Sequence, residues 1–337
     1  MLHDATTPAT GRTQQRAARY MRIALRLVVT GIVLCGLLAA VSRIVQPKNN
    51  QAEFGQSDPE AHGVLGEPRD SIDVLVLGDS ESFCSISPLQ LWGEQGITSY
   101  VCGTSGQILP LTRSLLLSAL SKQHPKVVIL ETNCLFRPFR PGFALNRALQ
   151  DKFPVFEYHN RWKKLRAEDL VYAPQTTWTH ELKGFRIKKD TVAADPSGYM
   201  APTDELAPMP RLSELYLRSI AKICRDNGTR LVLVSTPSTV NWNMKRHNCV
   251  QQLAGELDVD YIDLNTGKNR AQIDWSTDTF DGGDHLNLNG AKKATAKLGE
   301  ILRNRYQLPD HSGESAYRSW DEAYARYERV VNEGAAS

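Results

Sequence analysis

Gly78-Asp79-Ser80 follows directly on the apolar run Asp73–Leu77. A hydroxyl placed where a buried strand breaks into the open can act as a nucleophile if a base reaches it. All three residues also favour ordinary turns, so the tripeptide alone decides nothing. A base stands far along the chain, in "DTFDGGDHLNLNGAKKAT", where His285 has Asp281 four residues before it and Asp284 adjacent. A serine nucleophile needs such a base, and the imidazole needs a carboxylate to orient it. Two more segments can receive the charge that develops on a substrate oxygen. "YVCGTSGQ" offers the backbone N–H of Gly106, and "VVILETNCLF" offers the Asn133 amide, beside the N–H of Ser80 itself. Each piece has a plainer reading: a glycine turn, an asparagine cap, an acid-rich loop of the kind that binds calcium. Together they make a complete acyl-transfer set that calls for no metal and no organic cofactor.

Those residues need a frame. Five apolar runs, Asp73 to Leu77, Thr98 to Cys102, Lys126 to Glu131, Arg230 to Ser235 and Asp260 to Leu264, alternate with amphipathic stretches. Continuous β-branched runs between helices predict a parallel sheet covered on both faces. The expected fold is therefore α/β, a three-layer α/β/α sandwich with a flavodoxin-like central sheet of about five strands. In such sheets ligands bind beyond the carboxyl ends of the strands, where Ser80, Gly106 and Asn133 all fall. A last helix, Gly290 to Tyr306, repeats apolar residues at three-and-four spacing. The domain is expected over 71–306, with a C-terminal helical extension over 307–337 that packs Trp320, Tyr324 and Tyr327.

Residues 136–210 break this rhythm, and hold 11 of the chain's 26 aromatics and 12 Lys/Arg against nine acids. An insertion of that kind either covers a sheet edge or walls a cleft. If it walls a cleft, Arg161 and Trp162 are the substrate-binding candidates, since Arg pairs with carboxylate or phosphate and Trp stacks on sugars.

The N-terminus sets the location. Polar residues 1–20 carry Arg12, Arg16 and Arg19, and "MRIALRLVVTGIVLCGLLAAVSRIV" follows, with 16 uncharged residues between Arg26 and Arg43. Snorkelling of Arg26 extends this to about 20 residues, enough to cross a bilayer. A cleaved signal peptide is the rival reading. The basic bias before the span predicts a cytoplasmic tail over 1–20, a single transmembrane anchor over 21–45, and an extracellular remainder. Residues 46–70, polar and rich in Pro and Gly, read as a linker. Cys35 lies in the span, and the five cysteines beyond it are an odd number, so at least one thiol is free or pairs between chains. A net charge of +3 with no basic tract excludes nucleic acid as partner.

The ordered blocks "GDSES", "GTSGQ", "ETN" and "DGGDHLNLNGA" resemble those of the SGNH (GDSL-type) hydrolase superfamily, over roughly residues 72–305. The third block departs from the family's Gly-x-Asn-Asp, reading Glu131-Thr132-Asn133-Cys134, and Gly282 stands three before His285 where the family has Asp. The resemblance implies Ser80 as nucleophile, His285 as acid/base, Gly106 and Asn133 at the oxyanion, and Asp281 or Asp284 as the orienting acid. Asp281 is the favoured one. Within the superfamily the anchor, "GDSESFCSISP", "HLN" and the long insertion are similar to DltD-like and alginate acetyltransferase-like proteins. That similarity implies an esterase or O-acyltransferase of an acylated cell-envelope glycan or teichoic acid, working beside a membrane-bound acyltransferase. The alternative it leaves is a non-catalytic module that binds such a polymer or such a partner.

Overall fold

Runs of Val, Leu and Ile with no polar face are stable as strands only where both sides are covered. In the computed structural model, which describes residues 9–333, five of them form one sheet: β1 (Val74–Gly78), β2 (Ser99–Gly103), β3 (Val127–Glu131), β4 (Arg230–Ser235) and β5 (Asp260–Asp263). All pairings are parallel, in the order β2-β1-β3-β4-β5. The twelve α-helices among the described residues are α1 (Ala9–Val45), α2 (Pro59–His62), α3 (Ser80–Ser85), α4 (Pro88–Gln95), α5 (Leu109–Leu120) and α6 (Pro141–Lys152), then α7 (Val155–Tyr158), α8 (Ala167–Val171), α9 (Arg211–Asp226), α10 (Met244–Leu257), α11 (Leu288–Tyr306) and α12 (Arg318–Asn332).

The chain divides into two units, residues 1–46 with 149–173, and residues 47–148 with 174–337. The second holds the sheet. Successive strand residues point to opposite faces. Leu75 and Leu77 join Leu116 of α5, Ile220 of α9 and Val250 of α10 in one core, while Val74 and Val76 join Phe83, Leu91 and Leu298 of α3, α4 and α11 in the other. Each such buried side chain contributes roughly 1.5–3 kcal/mol. The structure is thus the three-layer α/β/α sandwich that the alternation of runs predicts. Along α11, the buried residues include Ala291, Ala294, Leu298, Ile301 and Leu302. Trp320 and Tyr327 of α12 are buried, and Tyr324 packs at the margin.

The segment read as a linker carries more structure than a tether needs. Ala61 and Val64 are buried, and the Tyr100 hydroxyl donates to the carbonyl of Glu60 at 2.9 Å. One turn of apolar spacing, too short to stand out from a Pro- and Gly-rich background, is all that marks it. Part of the insertion lies along edge strand β2, where the N–H of Val101 donates to the carbonyl of Lys183 at 2.9 Å. The buried Lys183–Glu67 pair, at 2.7 Å, holds it there.

In the first unit, α1 includes the one stretch among the described residues, Gln15–Val45, long and apolar enough to cross a membrane. Most of its large apolar side chains from Ile23 to Val41 are exposed, Leu38 being half-buried, whereas Ser42 and Val45 in its last turn are buried. There Val155 donates its N–H to Ser42 Oγ at 3.2 Å. All six cysteines are unpaired, Cys35 exposed and the other five buried. Burial pushes the Cys84 thiol up to about 12.

Candidate active site

Ser80 opens α3 immediately after β1. Two missing side chains allow this: a Cβ on Gly78 would lie 2.6 Å from Glu131 Cβ, and one on Gly103 would lie 2.5 Å from Ser82 Oγ. The first turn of α3 therefore sits down on the ends of β1 and β2. Asp79 caps it, with Oδ1 accepting the N–H of Glu81 at 3.1 Å.

From the other end of the domain, the loop before α11 brings His285 to Ser80. Nε2 lies 2.7 Å from Ser80 Oγ. On the opposite side of the ring Nδ1 lies 2.6 Å from Asp281 Oδ2, and Asp281 Oδ1 accepts the His285 N–H at 2.8 Å. One carboxylate thus grips both the ring and the backbone of the same residue. Asp284 is further away, 3.8 Å from Nδ1, and its Oδ1 accepts instead from Asn241. Positive φ at Gly282 and Gly283 makes the loop tight enough, while Thr279 Oγ1 accepts from Gly283 N and donates to the His285 carbonyl, both at 2.8 Å. The imidazole also stacks on Phe280, with centroids 5.7 Å apart.

Gly106 is exposed after β2 with φ +62, and a Cβ there would be 4.0 Å from Arg137 Nη1. Asn133 is 5% exposed and held between charges. Its Nδ2 donates to Asp79 Oδ2 at 3.0 Å and its Oδ1 accepts from Arg246 at 2.9 Å. One of its two amide hydrogens is therefore committed to Asp79. Arg161 and Trp162 belong to the other unit, where Arg161 pairs with buried Asp169 at 3.0 Å and donates to the carbonyl of Val45, and Trp162 is exposed.

Below the serine lies a buried layer of acids that the sequence reading passed over. Asp79 is fully buried and accepts from Arg137 Nε at 2.6 Å. Glu81 and Glu131 are buried beside it, and burial first, then the charge of Asp79 on both and of Glu131 on Glu81, hold their carboxyls well above the usual range. Asn241 ties Glu81, at 2.8 Å, to Asp284. The only signal in the sequence was "ETN" itself, where an acid ends a buried strand and so must be neutralised or paired. Glu81, Asp284 and His285 also place ligand atoms within 4.8 Å of one another. Both imidazole nitrogens are engaged by Ser80 and Asp281, so this group fits a metal poorly.

No family model matches the chain, and no curated protein matches it. Solved structures do. A lipase/acylhydrolase from Enterococcus faecalis is 10% identical, with 71% of this chain and 99% of that one covered and a TM-score of 0.36. A psychrotrophic esterase from Pseudoalteromonas is 12% identical over 68% of this chain and 96% of that one, TM-score 0.34. A protein assigned to the G-D-S-L lipolytic family from Desulfitobacterium hafniense is 13% identical over 68% and 98%, TM-score 0.37. At such values the chemistry has to be read from the side chains of this chain.

Proposed function

We propose that the chain is a serine ester hydrolase or O-acyltransferase of SGNH type. The observation that carries this is the Asp281–His285–Ser80 relay, with contacts of 2.6 and 2.7 Å, at the carboxyl edge of a parallel sheet. In this reading His285 Nε2 takes the Ser80 proton as Oγ attacks an ester carbonyl, and Asp281 steadies the imidazolium that forms. The oxyanion is received by the N–H groups of Ser80 and Gly106, with the uncommitted amide hydrogen of Asn133 as a third donor. Nε2 then protonates the departing alcohol, leaving an acyl-Ser80. Water or a sugar hydroxyl, deprotonated by the same Nε2, finishes the cycle as hydrolysis or transfer.

The proposed setting is the outer face of a cell membrane, with α1 as a single-pass anchor and the N-terminus in the cytoplasm. The apolar length of α1 and the arginines before it support this. The proposed substrate is an acylated envelope glycan or teichoic acid, and the proposed partner is a membrane-bound acyltransferase. That part rests on the likeness of the sequence blocks to DltD-like and alginate acetyltransferase-like proteins.

Incubation of the purified full chain with a fluorophosphonate probe tests the mechanism. A label mapped to Ser80, absent in Ser80→Ala and in His285→Ala, is expected. A folded chain that takes no label would leave the non-catalytic binding module as the reading.

A further inference from the structure

In the last turn of α1 Ser42 and Val45 are covered by protein, while the turns before it are mostly exposed. Ser42 and Val45 are 4% and 3% exposed, whereas Leu37 and Val41 are 59% and 42% exposed. The cover is residues 149–173 of the same unit, through the Val155–Ser42 contact and the Arg161–Val45 contact. Arg161 is fixed there by Asp169, itself 4% exposed, so the cover is built and not a loose strand of chain. The charge-free part of α1 ends at Arg43. If α1 spans a membrane, the cover meets the helix where hydrocarbon gives way to headgroups.

The outward side chains of the cover suit that level. Trp162 is 64% exposed, and Leu165, Leu170, Val171 and Tyr172 are exposed with it. A water-facing surface would not gather so many large apolar groups in 11 residues. Indole and phenol rings favour the headgroup layer, where the body of the ring is dry and its polar tip wet. Between them lie Lys163, Lys164 and Arg166, all exposed, with no acid from His159 to Ala167. A basic and aromatic surface of this kind binds anionic phospholipid.

We propose that residues 149–173 form a membrane-interface collar around the exit of α1, seated on anionic phospholipid headgroups with Trp162 inserted among them. The collar is independent of the esterase reading and rests on α1 being a span. It gives the tryptophan and lysines of the insertion a lipid partner in place of a glycan.

The full chain is reconstituted in nanodiscs of phosphatidylglycerol and phosphatidylcholine, with the phosphatidylcholine brominated either high on its acyl chains or near their ends. Of the six tryptophans Trp162 is the exposed one: Trp92, Trp242, Trp275 and Trp320 are buried and Trp178 is half-buried. Bromine high on the chains should quench the emission more than bromine near the ends, and Trp162→Phe should abolish the difference. Replacing phosphatidylglycerol by phosphatidylcholine, or introducing Lys163→Glu with Lys164→Glu, should weaken the quenching. No quenching in a chain that resists carbonate extraction overturns the collar, as does equal quenching in Trp162→Phe. Quenching indifferent to lipid charge and to the lysine changes overturns the anionic partner. A chain released by carbonate shows that α1 is no span, and the collar falls with it.

Discussion

Two aspartates flank His285 closely enough to be confused, and their bonding separates them. Asp281 spends one oxygen on Nδ1 and the other on the backbone of the same histidine, while Asp284 turns to Asn241. Loss of an orienting carboxylate leaves the imidazole in the wrong tautomer, which has cost about 10⁴-fold in turnover where it has been measured. Asp281→Asn should therefore reduce ester turnover severely. Asp284→Asn keeps an acceptor for Asn241 and should cost at most about 1 kcal/mol of stability with turnover nearly unchanged. Steady-state kinetics on one activated ester, beside a thermal melt, reads both. A reversed order would give the orienting role to Asp284, and small effects from both would reduce the relay to a Ser–His dyad. Asn133 shows the limit of reading roles from a motif. Its type and position are visible in "ETN", but its bonds to Asp79 and Arg246 depend on where two other segments fold.

At the scale of elements, the strand ends decide whether Ser80 meets His285, 205 positions along the chain. Because Gly78 and Gly103 carry no Cβ, Ser82 can pack against both strands, and Ser80 is held between Gly78 and Ser82. In Gly78→Ala the new methyl would stand 2.6 Å from Glu131 Cβ and 3.0 Å from Ser82 Cβ, neither of them the far end of a flexible chain. Either α3 or β3 must shift. Overpacking of this kind costs about 1–3 kcal/mol, and a displacement near 1 Å at the reacting atoms can cost about 10²-fold in rate. Gly78→Ala should thus lose more activity than its melting temperature implies. Wild-type turnover in that variant would mean that the packing at Gly78 does not position the serine. The five strands were legible as short apolar runs, and α5, α9, α10, α11 and α12 as apolar patterns of helical length; α6, twelve residues inside the insertion, was not. α2 was not, being a single turn, and neither was the pairing of Lys183 with edge strand β2, since a non-local contact leaves no local pattern. Arg161 and Trp162 were legible as a basic-aromatic pair, but the bonds of Arg161 to Asp169 and to the Val45 carbonyl were not.

At the scale of the whole molecule, location and pH carry the remaining predictions. With the arginine-rich tail inside, a reporter fused after Ser337 should score as exported, and a cytoplasmic score would remove the anchor orientation and the envelope substrate together. The pH dependence follows from the buried acids under the site. Burial chiefly raises the folded-state values of Glu81 and Glu131 well above the ordinary 4.5. Below 4.5 both states are protonated and these groups contribute no slope. As pH rises past that point the unfolded chain releases protons that the folded one retains, so stability falls until the raised values are passed. Glu81→Gln keeps an acceptor for Asn241 and cannot ionise, which removes one such loss. Melting curves of wild type and Glu81→Gln should converge on the acid side of 4.5 and separate above it, with the variant the more stable at neutral pH. Curves that stay parallel across this range would mean that Glu81 ionises as readily in the fold as outside it.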